Sequence, residues 1–193
     1  MTEAEKLLIG ELKKLDIIVP LQEDLIELDN GVILIACGDC DRLPSLEQWI
    51  KRLFRKRGLE PRIHRIYLNG GGALIPSESR VARCNEGATI IHHVQQASRL
   101  RNIYIVLDAT HFECGAAKEV GVNLRALLKY KILGKRRLKR GARDIKKVYS
   151  LLHLHYQDSR DRTYIVHTKE LGAYLRRTAP PPEEAKRRRR HAA

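Results

Sequence analysis

The chain has 193 residues, 43% hydrophobic and 31% charged, with a formal net charge of +14. That length holds one domain with a proper core, or one domain plus extensions, and the hydrophobic content is ordinary for a globular protein. No apolar run is long enough to span a bilayer, so a membrane protein built on helices is excluded.

The opening stretch, "MTEAEKLLIGELKKLDIIVP", has no basic leader followed by an apolar block and a small-residue cleavage site. Residues 2–15 instead predict an amphipathic helix with Leu7, Leu8, Leu12 and Leu15 on one face. A cytoplasmic, reducing compartment is the expectation for the four cysteines, Cys37, Cys40, Cys84 and Cys114. There, thiols more often bind metal, act in redox chemistry or sit inertly in a core than form structural disulfides.

Val32 to Ala36 reads as a buried strand, and "SLEQWIKRLFRKRG" as a helix capped by Ser45 and closed by Gly58. A strand follows in "RIHRIYL", a helix in "NEGATIIHHVQQASRL" and a buried strand in "NIYIVLDAT". A helix starting near Gly115 carries a basic region, with interruptions expected at Gly134 and Gly141. "SLLHLHYQD" and "TYIVHTK" alternate like a hairpin around "DSRDR". The rhythm predicts an α/β fold: a mostly parallel central sheet flanked by helices, with a late antiparallel strand. Residues 1–178 are expected to form a single domain, with 1–30 an N-terminal helical extension and 179–193 a disordered basic tail.

The charge is uneven. From Arg125 to Lys147 eleven Lys/Arg face the single acid Asp144, and "EEAKRRRRHAA" adds five bases against two acids. Such runs bind nucleic acid through counterion release, or are simply solvated faces. Only Tyr130 and Tyr149 accompany the basic run, and no zinc-finger, RRM or KH signature is present, so nucleic acid is the less favoured partner.

In open α/β sheets functional groups collect beyond the carboxyl ends of the strands. One strand here ends in Cys37-Gly38-Asp39-Cys40, another in "THFECGA", which offers His111 and Cys114. Two thiolates and an imidazole leave a zinc ion with a fourth tetrahedral position, as catalytic zinc sites do. The bland reading of each is a buried core residue; the ordered pair of motifs favours ligation. Cys40 also forms Cys-x-x-Cys with Cys37, which a redox enzyme would use, although Asp39, Asp41 and Pro44 suit a thioredoxin-like helix start poorly. Cys84 reads as structural, while His92, His93, His153 and His155 are open between surface, core and proton-shuttle roles.

These motifs, Cys37-Gly38-Asp39, the glycine-rich "YLNGGGALIP" and "HFECG" from His111 to Gly115, together resemble the β-class carbonic anhydrases across roughly Gly31 to His167. The resemblance implies that family's fold and a zinc ion held by Cys37, His111 and Cys114. It implies reversible hydration of carbon dioxide to bicarbonate by a zinc-bound hydroxide. It also implies a catalytic pair in which Arg42 holds Asp39 off the metal, a substrate cleft lined by Asn69, Gly70 and Gly71, and a homodimer or higher homo-oligomer. The sequence departs from the pattern at three places: Arg42 comes one residue late, Leu68 replaces the arginine that opens the glycine-rich segment, and Thr110 replaces the glycine before the histidine. The alternatives are a related hydrolase of carbonyl sulfide or carbon disulfide, and an inactive zinc domain that binds nucleic acid through its basic helix and tail.

Overall fold

A computed structural model describes residues 1–38, 43–154 and 162–179. Asp39, Cys40, Arg42 and His155, most of "DSRDR" and the tail beyond Ala179 lie outside the described residues.

Two apolar runs become the centre of the sheet. β2 (Val32–Ala36) and β4 (Ile105–Phe112) are buried at every residue, as strands covered on both faces must be. β2 pairs in parallel with β3 (Ile63–Tyr67) and with β4, and β4 pairs in parallel with β5 (Lys147–Leu154). β6 (Arg162–Val166) then runs antiparallel to β5, which is the late antiparallel strand the sequence predicts. A sixth strand, β1 (Ile18–Pro20), pairs antiparallel with β6 and completes the order β1-β6-β5-β4-β2-β3. β1 falls inside the stretch expected to be a helical extension. It is three residues long and ends in a proline, which suits an edge position because proline has no N–H to donate.

Helices cover both faces. α2 (Leu43–Lys56) packs Leu46, Ile50, Leu53 and Phe54 against Val32, Leu34 and Leu107. The opposite face is covered by α1 (Glu3–Lys14), α3 (Glu86–Arg101), α5 (Leu124–Gly141) and α6 (Thr168–Arg177). α2 starts two residues before the expected cap, so Ser45 lies within its first turn. Its end is as predicted: Gly58 has φ +68°, its amide donates to Arg55 and that of Leu59 to Phe54, closing a Schellman motif.

The helix expected from Gly115 is two helices. A short α4 (Gly115–Glu119) stops near Gly121, which has φ +66°, and α5 restarts with the Asn123 side chain accepting from the Ala126 amide. Gly134 does not interrupt α5, whereas Gly141 is its last residue. α6 lies where the sequence predicts no helix; it buries Leu171 and Tyr174, one turn apart, against the same core. α1 carries a Thr2–Glu5 capping box and buries Ile9 and Leu12 in its own chain's core. Leu7 and Leu15, read from sequence as part of one apolar face, are 70% and 51% exposed.

α2 is also tied to β3 electrostatically. Glu47 receives both Nε and a terminal nitrogen of Arg65 at 3.1 Å, together with the Tyr67 hydroxyl. The Arg65 guanidinium holds the Glu47 carboxyl down at about 2, against an ordinary 4.5. A depressed carboxylate contributes its stabilisation fully above the unfolded value and loses it as pH falls through the folded one. Glu47→Gln is therefore expected to lower stability by about 1 kcal/mol at pH 7. Its deficit against the unsubstituted chain should shrink between about pH 4.5 and pH 2, as urea unfolding at stepped pH would show. A constant deficit across that window would refute the pairing as its source.

Candidate metal centre

β2 and β4 are parallel neighbours, with Ile35 beside Asp108, so their carboxyl ends open at the same edge of the sheet. Cys37 follows the last residue of β2, and His111 lies within the end of β4. Cys114, three residues on, is the N-cap residue of α4. A separation of 77 residues between Cys37 and Cys114 is thus closed to 4.0 Å between their sulfurs. Among the described residues, one donor atom each from Cys37, His111 and Cys114 all lie within 4.8 Å of one another.

This arrangement fits a tetrahedral metal ion. Two sulfurs each about 2.3 Å from one such ion stand about 3.8 Å apart, close to the separation observed. Two sulfurs and one nitrogen are also the donor set that borderline-soft zinc takes in proteins. Cys114 and His111 are buried, and Cys37 is half-buried.

The two thiols are electrostatically unequal. The contact with the Cys114 sulfur, with the nearby His111 imidazole and the Gly70 amide, holds the Cys37 thiol well below its ordinary value despite its burial. The Cys114 thiol is pushed up by the Cys37 sulfur beside it and by its own burial, while the amides of Ala117 and Ala116 act the other way. The two sulfurs therefore titrate as one coupled pair, in which loss of the first proton disfavours loss of the second.

The glycine-rich segment stands behind this centre. Gly70 donates its amide to the Cys37 sulfur at 3.3 Å. Gly71, at φ +51°, begins a 3-10 turn (Gly71–Leu74); a Cβ there would lie 2.4 Å from the Cys37 nitrogen. A Cβ on Gly72 would lie 1.8 Å from Oδ1 of Asp108, one strand across. Only residues lacking a side chain let this turn press onto the ends of β2 and β4. Gly70 and Gly71 are buried, and neither is among the residues that line the adjoining cavity; Asn69 is.

That cavity, about 580 Å³, is lined by Cys37 and His111, with Leu68, Leu74 and Val81 as apolar lining and Asn69 as polar. Arg83, Glu86 and Glu119 line it as well, and none of them is marked out by the sequence. Arg83 pairs with Glu119 at 2.5 Å where both are well exposed. Glu86 accepts the amides of Arg83 and Cys84, which orders the approach to α3. Arg83 and Glu119 are 36 residues apart and belong to no spacing motif, so only the fold brings them together. Cys84, expected to be structural, is exposed.

Beneath the centre lies a buried ion pair. Lys131 of α5 is 1% exposed and Asp108 of β4 is 0% exposed, with Nζ 2.8 Å from Oδ2. Lys131 also donates to the Asp108 carbonyl at 2.6 Å and to the Thr110 hydroxyl at 3.1 Å. Burial pushes the lysine's pKa down and the aspartate pushes it back up. These contacts hold β4 at Asp108 and Thr110, three residues and one residue before His111. In sequence the pair is hidden, since Lys131 is one base among eleven in its stretch.

No protein-family model matches the chain, and no curated protein does. Solved structures do. A carbonic anhydrase of Streptococcus mutans is 12% identical over 84% of this chain and 98% of its own, with a TM-score of 0.43. β-Carbonic anhydrase isoform I of Trichomonas vaginalis is 11% identical over 86% and 99%, with a TM-score of 0.42. The β-carbonic anhydrase CafD of Aspergillus fumigatus is 14% identical over 77% and 98%, with a TM-score of 0.41. The chain is thus similar to two solved β-carbonic anhydrases and one further carbonic anhydrase.

Proposed function

We propose that the chain is a divergent β-class carbonic anhydrase that holds one zinc ion on Cys37, His111 and Cys114 and hydrates carbon dioxide reversibly to bicarbonate. The observation that carries this reading is the convergence of those three donors, two of which, Cys37 and His111, line a cavity. Zinc in such a site supplies a nucleophile from water near neutral pH by lowering the water's pKa.

The chain's own residues have definable tasks. The Gly70 amide directs a hydrogen bond at the Cys37 sulfur, which orients it and moderates its charge. Leu68, Leu74 and Val81 offer an apolar wall suited to an uncharged, linear substrate. Asp39 and Arg42 are proposed as the pair that keeps the fourth position on the metal accessible, a role that rests on the sequence resemblance alone. A homodimer is proposed on the same ground, and light scattering of the full chain tests it.

The experiment for the main reading combines metal analysis of the purified full chain with stopped-flow hydration of carbon dioxide. One zinc per chain is expected, with hydration that disappears on chelation and returns with zinc. A chain loaded with one zinc that hydrates no faster than buffer would overturn the enzyme reading while leaving the metal centre intact.

A further inference from the structure

At the opposite end of the sheet from the metal centre, where β5 begins and β6 ends, lies a second cavity of about 430 Å³. Its size falls within the range of about 300–1,000 Å³ typical of small-ligand pockets. Five lysines line it, and one acid, Glu170, does so too. Two of the lysines are already paired: Lys146 with Asp29 at 3.2 Å, and Lys147 with Glu27. Lys135, Lys139 and Lys169 have no ion-pair partner among the described residues. Burial, and then the neighbouring Lys139, lower the pKa of Lys135 further than the carboxylates of Asp108 and Glu170 raise it.

Two features separate this cavity from an ordinary basic surface. α6 begins at its edge with His167, Thr168, Lys169 and Glu170, and no side chain caps that ten-residue helix. Its first-turn amides and the positive end of its dipole therefore face the cavity without a side-chain acceptor. Ser150 stands in the wall, 0% exposed, and its hydroxyl has no hydrogen-bond partner among the described residues. Alternation along β5 puts Ser150 with Val148 and Leu152 on the face packed by α5, the helix that carries Lys135. Ser150 also stands beside Asp108 of β4, whose charge Lys131 offsets, so the orphaned hydroxyl, the unpaired lysines and the uncapped helix start are together the complement of an oxygen-rich anion.

We propose that this cavity is a binding site for a phosphoryl group, held by Lys135, Lys139, Lys169, the Ser150 hydroxyl and the amino end of α6. The anion sits remote from Cys37, His111 and Cys114, so its binding does not depend on the metal or on hydration activity. The phosphoryl group comes from a small phosphorylated molecule or from a nucleic-acid backbone, since both present the same oxygens.

Isothermal titration of the full chain with inorganic pyrophosphate at constant ionic strength tests the site. Saturable binding at one site per chain is expected. Lys139→Gln/Lys169→Gln should weaken it by about tenfold or more, as should loss of a charge-assisted contact generally. Ser150→Ala should weaken it while leaving thermal unfolding unchanged, because the hydroxyl it removes has no partner within the chain. Lys129→Gln/Arg136→Gln removes the same charge from exposed positions outside the cavity and should leave affinity unaltered. No binding beyond a chloride control, or equal weakening by both double variants, would overturn the proposal. A short single-stranded oligonucleotide then separates the sources: competition with pyrophosphate assigns the site to backbone phosphate, and its absence to a small molecule.

Discussion

Replacing Cys114 with serine should strip most of the zinc from the protein and abolish carbon dioxide hydration. Cys114 is buried, its sulfur stands 4.0 Å from that of Cys37, and its neighbours Ala116 and Ala117 aim amides toward it. Serine keeps the size of the side chain but not the soft thiolate that zinc prefers, and its hydroxyl ionises far less readily. Changes to groups that merely orient a ligand cost about 10–100-fold in metal affinity, so losing the ligand itself should cost more than that. Bound zinc, measured after exhaustive dialysis, should fall to a small fraction of one per chain. Cys84→Ser is the control, since that thiol is exposed and does not belong to the donor cluster. Full zinc occupancy in Cys114→Ser would remove the proposed ligand set, whatever the activity.

The second large effect lies below the metal centre. Lys131→Met should destabilise the fold by about 3–5 kcal/mol, because it strands the Asp108 carboxylate in a site with no access to water. The loss should be larger than for an ordinary surface lysine, since three contacts go at once: the Asp108 carboxylate, its carbonyl and the Thr110 hydroxyl. At about 2–4 °C per kcal/mol for a chain of this length, the melting temperature should drop by roughly 10 °C. Lys131→Met with Asp108→Asn removes both charges while nearly preserving shape. It should recover most of the lost stability. Thermal unfolding of the two single variants and the double closes the cycle. If the double variant is no more stable than Lys131→Met, the charge pair is not the cause.

These two predictions differ in how far the sequence foretells them. Cys37, His111 and Cys114 stand at the ends of two apolar runs, and such runs become parallel strands with their carboxyl ends together. The donor set is therefore legible before any coordinates are known. The Asp108–Lys131 pair carries no comparable signal. Asp108 sits inside a strand pattern and Lys131 inside a basic helix, and only the packing of α5 on β4 makes them partners. The same holds for Arg83 and Glu119, and for the cavity between β5, β6 and α6.

The elements divide along the same line. Period and punctuation determined β2 to β6, α2, α3 and the break at Gly58, because burial on a sheet face and the left-handed glycine are local requirements. β1 and α6 leave no such signal in the sequence, for a physical reason. Three residues of strand have too few positions to show an alternation, and the apolar Leu171 and Tyr174 of α6 amount to a single helical turn. Each is stable only because a neighbour supplies what it lacks: β6 the hydrogen bonds for β1, and the core the apolar cover for α6. By itself, then, the sequence determined the class of sheet and the identity of three candidate ligands. Tertiary structure alone decided which polar side chains meet around them. Hydrophobic patterning repeats along the chain and can be read there, whereas a buried ion pair or a lysine-lined cavity exists only once distant segments share one place.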